Sequence, residues 1–422
     1  MLCGSCLRDH RLTATLKAQG HDITLLQLYT PLRTDEQNAQ CEATTHIFYG
    51  GINVFLQQRF AVFRMIPRVF RTWLDSKLVL KKAAQWSGSV NPKSLAELTV
   101  SVLEGTHGAQ ASELARLIDY LHNLSPSVIH LPNLLFIGIA EEIKRAIGVP
   151  IVCTLSGEDI FLDQLVEPHR ARCFDLIRKQ APHVDAFVAV SKYYAQHAAQ
   201  HFNLPASRTH VVPLGIPVEE FDSAVPTGDS FTIGYLGRVC PEKGLANLVD
   251  ALVDLRRAGR NCRVCAAGYL SADDRPYLES IRQKLQAEGV ADRFTYLGEV
   301  TRKQKCDFLR SLNALSVPTH YAEAKGLYIL EAMASAVPVI QPDHGSFPEL
   351  IAATGGGILY DPHSQSDHNP LSAAISKLMD NSQLCRKLAQ NGRTAVRRLF
   401  NDRVMADATW AVYETLCDGN IE

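Results

Sequence analysis

Two glutamates, Glu323 and Glu331, stand eight positions apart, with Lys325 and Gly326 between them. Leu327 to Ala336 is rich in good helix formers and carries an apolar stripe, so it predicts a helix starting at Gly326. One carboxylate then falls just before the helix and the other a turn or so inside it. Between them lie bare N–H groups and the positive end of a helix dipole. Upstream, Gly237-Arg238-Val239-Cys240-Pro241-Glu242-Lys243-Gly244 follows an apolar run, with Arg238 after a strand and Lys243 before a helix. Arginine offers a planar fork and lysine a point charge, and both suit phosphate oxygens. Helix N–H groups also favour anions, whereas carboxylates repel phosphate and accept hydrogen bonds from hydroxyls. A ligand with both phosphates and hydroxyls fits this mixture. Each part alone is ordinary, since such glutamate pairs are common on helices and such cations are common on surfaces.

The elements that position these groups follow a βα alternation. In the second half, strands are expected over Phe231–Leu236, Cys262–Ala267, Phe294–Leu297, Ala314–Pro318 and Val337–Ile340. Helices are expected over Leu245–Arg257, Pro276–Glu288 and Lys303–Leu312. In the first half, Leu7 to Gln19 predicts a helix and His21 to Leu28 a strand. Asn91 to His122 predicts further helix, Ala140 to Ile147 a helix, and Val149 to Leu155 and Ala186 to Ser191 strands; Val211 to Ile216 closes this half. The strand at Val149 ends in Ser156-Gly157-Glu158-Asp159, polar residues where an open α/β sheet binds its ligands. Ser223 to Ser230 reads as a linker. The expected fold is α/β, with two doubly wound Rossmann-like domains facing a cleft, at 1–222 and 231–400, followed by a helical segment at 401–422. The chain opens on a turn and a helix, so a strand that would normally precede them is expected to be missing. Cys3 and Cys6 form a C-x-x-C there, read as a small-residue turn onto a helix in preference to a thiol site.

Composition narrows the partners. The 422 residues carry 43 basic and 44 acidic side chains and a formal charge of -1, which argues against a general nucleic-acid binder. Eleven cysteines without a secretory leader read as reduced thiols, and a cytoplasmic protein is expected. No apolar run is long enough for a transmembrane helix. Arg59 to Trp86 is basic, with Phe60, Phe63, Phe70 and Trp73 interleaved. It reads as a solvated helix face, with peripheral contact to the inner face of a membrane through 59–86 as the alternative. No Asp-x-Asp accompanies the Glu323 stretch, so no metal and no cofactor are expected.

The segments Gly237–Gly244 and Glu323–Ile340 resemble the two signature segments of family 4 retaining glycosyltransferases of the GT-B fold. His210–Pro217, Gly345–Leu350 and Gly355–Pro362 are similar to further segments of that family, and the likeness is strongest across Phe231–Pro362. The resemblance implies metal-independent transfer of a sugar from a nucleotide diphosphate sugar to an acceptor hydroxyl. It implies that Arg238 and Lys243 hold the donor diphosphate, that Glu323 faces the donor sugar and that Glu331 takes the ribose hydroxyls. Gly326, Leu327 and Tyr328 would supply backbone contacts, Gly4 and Gly237 would approach the donor, and Gly298 and Val300 are further donor-side candidates. The last helix, from Asp402 to Leu416, would return to the first domain. Three departures stand out. Ser156-Gly157-Glu158-Asp159 lacks the family's histidine, leaving Asp159 as the nearest polar substitute. Lys325 replaces an aromatic, which points to a different donor-sugar preference. Leu214-Gly215 replaces an Asn-Gly. The rival readings are a catalytically impaired glycosyltransferase-like binding module and a nucleotide-sugar epimerase or phosphorylase on the same fold.

Overall fold

The computed structural model describes residues 4–28, 47–48, 92–221, 230–364 and 369–418. Cys3, the basic stretch 59–86 and all but Ser230 of the expected linker lie outside the described residues. The chain divides into two compact units. The N-terminal unit takes the described residues among 5–213 together with 406–418, and the C-terminal unit takes Gly4 and those among 214–405.

In the N-terminal unit, β1 (Gln27–Leu28) pairs in parallel with β2 (Ile47–Phe48). A second parallel sheet runs β3 (Ile129–Leu131), β4 (Ile151–Leu155), β5 (Ala186–Ala189) and β6 (Thr209–Val211) in that order. Every residue of β4 and β5 is buried, which is why both read as continuous apolar runs. Among the described residues only Gln27–Leu28 of the strand expected from His21 is paired, and His21 to Thr24 alternate between half-buried and exposed. The helix expected over Asn91–His122 is instead two, Pro92–Leu103 and Ala111–Leu124. Gly105 breaks it, with φ +57 and a position where a Cβ would stand 2.2 Å from the Gly138 carbonyl oxygen. The last strand is β6, upstream of the expected Val211–Ile216, because Pro213 has no N–H for a ladder.

The C-terminal unit is one six-stranded parallel sheet in the order β12-β11-β10-β7-β8-β9. Its strands are β7 (Phe231–Leu236), β8 (Cys262–Ala267), β9 (Phe294–Tyr296), β10 (Ala314–Leu315), β11 (Val339–Pro342) and β12 (Gly357–Tyr360). Chain order runs outward from β7 through β8 to β9, then resumes at β10 on the other side of β7. The order therefore reverses between β7 and β10. The crevice beyond the carboxyl ends of strands at such a reversal is where open α/β sheets bind ligands. The loop after β7 carries Arg238 and Lys243, and the loop after β10 carries Glu323 and Gly326. The helix after that loop is Leu327–Ala334, shorter than expected, because Ala336 takes φ +57 and turns the chain into β11.

Candidate active site

In the C-terminal unit, Lys243 and Glu323 are brought together. Lys243 Nζ lies 2.5 Å from Glu323 Oε2, and both side chains are largely buried. Tyr321 donates its hydroxyl to the same oxygen at 3.3 Å. The Lys243 ammonium also sits over two aromatic rings, 4.9 Å from the centroid of Tyr321 and 5.5 Å from that of Tyr328. Burial works against this ammonium's charge, but Glu323 and Tyr321 outweigh it and raise its pKa. Arg238 is different. It is exposed, and its Nε donates to the Cys240 thiol at 3.3 Å, a weak partner that a phosphate oxygen outcompetes. Tyr235 fixes the loop by donating its hydroxyl to the Arg238 carbonyl at 2.7 Å.

Gly326 caps the helix Leu327–Ala334 with φ +72, and no side chain caps it. The leading N–H groups, at Leu327 and Tyr328, are thus left for a ligand. The Tyr328 hydroxyl is buried without a partner, and burial, then Glu323, pushes its pKa well up. The loop after β11 braces Glu323 from behind. Ser346 N–H donates to the Glu323 carbonyl at 2.8 Å, and His344 Nε2 donates to the Thr319 carbonyl at 3.0 Å. Gly345 makes this approach possible, since a Cβ there would lie 2.6 Å from Glu323 N.

Glu331 is held by a residue that the sequence reading passed over. Lys305 Nζ, from the helix Arg302–Arg310, lies 2.6 Å from Glu331 Oε1, with both side chains largely buried. Lys305 shares the buried face of its helix with Phe308 and Leu309. A charge inside an apolar i, i+3, i+4 stripe was the available signal. Gly237 and Gly298 lie at the carboxyl ends of β7 and β9, where Gly237 N–H donates to Ala267 and Gly268 N–H donates to Gly298. Val300 is half-buried in the loop leading to the Lys305 helix.

Gly4, which opens the helix Gly4–Ala18, groups with the C-terminal unit, and a Cβ there would stand 3.5 Å from Leu327 Cδ1. Asp159 lies in the N-terminal unit and opens the short helix Asp159–Leu162. The Asp159 carboxylate is occupied on both oxygens, by the Tyr194 hydroxyl at 2.7 Å and by His197 Nε2 at 3.0 Å. Neighbouring Glu158 accepts from Ser156 N–H at 2.8 Å, Ser156 Oγ at 2.8 Å and Tyr194 Oη at 3.1 Å. Burial, then the Glu158 and Asp159 charges, holds the Tyr194 phenol far above its ordinary pKa. Sequence reading did not find Tyr194 or His197. Close by in chain order, His130 shares hydrogen bonds with Tyr413 Oη at 2.6 Å and Thr154 Oγ1 at 2.7 Å. Burial first, and Arg8 second, lower the His130 pKa to about 3.

The reversal point of this parallel sheet gathers cations, an uncapped helix N-terminus and two carboxylates, and comparison with known proteins gives the class. A family model for glycosyl transferases group 1 matches residues 218–395, and one for glycosyltransferase family 4 matches 99–220. The chain is similar to the MMP alpha-(1->4)-mannosyltransferase of Mycolicibacterium hassiacum, 25% identical over 363 residues that span 82% of this chain and 80% of that protein. Its fold matches that of sucrose-phosphate synthase from Thermosynechococcus elongatus, with TM-score 0.69 and 18% identity over 97% of this chain and 92% of that one. It also matches Anabaena HepE in complex with UDP-glucose, with TM-score 0.64 and 16% identity over 94% of this chain and 100% of that one. The protein is a glycosyltransferase of the GT-B fold. It belongs to the group 1 glycosyl transferases of family 4.

Proposed function

We propose that the protein is a retaining, metal-independent hexosyltransferase, moving a sugar from a nucleotide diphosphate sugar to an acceptor hydroxyl. The observation that carries this reading is the closed Lys243–Glu323 pair beside the uncapped start of the helix Leu327–Ala334. Donor binding exchanges partners there. Lys243 leaves Glu323 for the diphosphate, and the freed carboxylate oxygen accepts from a donor-sugar hydroxyl. Arg238 and the N–H groups of Leu327 and Tyr328 add donors to the diphosphate. As the bond from the anomeric carbon to the diphosphate breaks, negative charge grows on the leaving oxygen, and these fixed donors stabilise it. The acceptor oxygen bonds to the same face of that carbon, and its proton passes to the departing phosphate. Two cations and a helix start offset the charge that a metal ion would otherwise meet.

Mannose is the first donor sugar to try, given the Mycolicibacterium relative, and glucose the second, given HepE. Lys325 in place of an aromatic is our candidate for setting the preference. A binding-only reading is favoured by one observation, the saturated Asp159 carboxylate, which has no free oxygen for chemistry. Incubation with UDP- and GDP-hexoses separates the readings. Transfer or slow hydrolysis that survives EDTA, with the product's anomeric configuration matching the donor's by NMR, supports the enzyme. Tight nucleotide-sugar binding with no turnover supports the module. Cytoplasmic residence with peripheral membrane contact through 59–86 is a further proposal, tested by flotation with anionic liposomes and its loss in high salt.

A further inference from the structure

A lysine amine on the buried face of a helix is costly unless paired, and a well-packed apolar residue there is often as stabilising as the pair. Lys305 is such a lysine, 8% exposed, between the helix's own Phe308 and Leu309 and the Glu331 carboxylate. Its geometry does more than fill space. Its ammonium meets Glu331 at Oε1, 2.6 Å away, and among the described residues no hydrogen bond occupies Oε2. The Lys305 helix begins directly after the Gly298–Val300 loop at the carboxyl end of β9, on the same edge of the sheet as the other donor candidates. The pair thus joins the helix after β9 to the helix after β10.

We propose that Lys305 is a positioning residue that sets the ribose selectivity of the donor site. It locks Glu331 with Oε2 outward, so that this one oxygen accepts from a ribose hydroxyl of the nucleoside diphosphate. The inference rests on reading Glu331 as the ribose ligand. Without Lys305 the carboxylate turns among rotamers, and the hydroxyl loses a fixed acceptor while the diphosphate keeps Arg238 and Lys243. Selectivity between ribose and deoxyribose falls, and affinity for the diphosphate itself changes little.

The test is equilibrium titration of the full chain with UDP and GDP, each beside its 2′-deoxy and 3′-deoxy forms. The proteins are wild type, Lys305→Met, Lys305→Arg and Glu331→Gln, each checked for a cooperative melt. Wild type should prefer the ribonucleotide over one deoxy form by about tenfold or more, the scale of a hydrogen bond to a charged group. Lys305→Met should lose most of that preference by weakening the ribonucleotide alone, and Lys305→Arg should restore part of it. Where methionine leaves too little stability, Lys305→Gln keeps an N–H donor without the charge and should fall between. A folded Lys305→Met or Lys305→Gln with the wild-type preference overturns the proposal for Lys305 while leaving Glu331 in place. A wild type that binds both nucleotide forms equally removes the ribose role of Glu331, and this inference with it. No binding of either diphosphate defeats the donor-site reading as a whole.

Discussion

Two adjacent carboxylates of the N-terminal unit and two carboxylates of the C-terminal unit are held in opposite ways. In the C-terminal unit, Glu323 and Glu331 are each met by one lysine, Lys243 and Lys305. In the N-terminal unit, Glu158 and Asp159 are met by Ser156, Tyr194 and His197, with every carboxylate oxygen occupied. A lysine–carboxylate pair can change partners when a phosphate or hydroxyl arrives, because each charge finds a substitute. A carboxylate saturated by serine, tyrosine and histidine has little to gain from a ligand. The first arrangement suits exchange and the second suits scaffold, which is why we propose the reactive charge in the C-terminal unit.

Breaking the exchangeable pair should have the largest effect. Lys243→Met removes a cation from the leaving diphosphate and strands Glu323 in a largely buried position. We expect kcat/KM to fall by about a hundredfold to a thousandfold, the range for losing one preorganised electrostatic donor. Steady-state kinetics with the active donor checks this, and a loss under about fivefold would move the leaving-group role elsewhere. Arg238→Lys should cost less, roughly tenfold, because the point charge survives and only the planar fork is lost.

The scaffold should respond in stability rather than in donor chemistry. Tyr194→Phe removes one hydroxyl that serves the Glu158 N–H, Glu158 Oε2 and Asp159 Oδ1. Urea denaturation should show a loss of about 1–3 kcal/mol, the cost of leaving buried polar groups unpaired. Nucleotide affinity should be unchanged. A variant that keeps wild-type stability yet binds nucleotide poorly would reverse the comparison between the units.

Acid should also act on the N-terminal unit. His130 has its pKa lowered to about 3 in the fold, from an ordinary 6.5. The unfolded chain therefore takes up a proton below about pH 6.5 that the folded state refuses until about pH 3. Its contribution to stability is fully present above that window and is lost as pH falls through it. Replacing His130 by Gln should flatten the decline of urea midpoint with pH over this window, which a denaturation series at several pH values reads directly.

Much of the C-terminal unit was legible in the sequence because its signals are local. Phe231–Leu236, Leu245–Arg257 and Cys262–Ala267 are bounded by glycine, proline or polar residues and fold over the spans expected. Once those boundaries are known, Arg238, Lys243 and Glu323 fall at strand ends and helix starts by counting. What the sequence did not reveal is long-range pairing. Lys305 meets Glu331 across 26 positions, and Tyr194 and His197 reach Asp159 across 35 and 38. Nothing in residue type showed that Asp159, expected as the nearest polar substitute for the family's histidine, meets a tyrosine and a histidine. The break at Gly105 was missed for a similar reason, since the Gly138 backbone that crowds it lies in another element.

On the proposed mechanism, Lys243 changes partners from Glu323 to the donor diphosphate. Isothermal titration of wild type and Glu323→Gln, each with a nucleoside diphosphate and its hexosyl form, tests this most directly. The account predicts that Glu323→Gln binds the bare diphosphate at least as tightly as wild type, because Lys243 no longer has to leave a carboxylate. It also predicts that the variant gains nothing from the attached sugar, whereas wild type does. Loss of bare-diphosphate binding in Glu323→Gln, or no nucleotide binding by wild type at millimolar concentration, would contradict it.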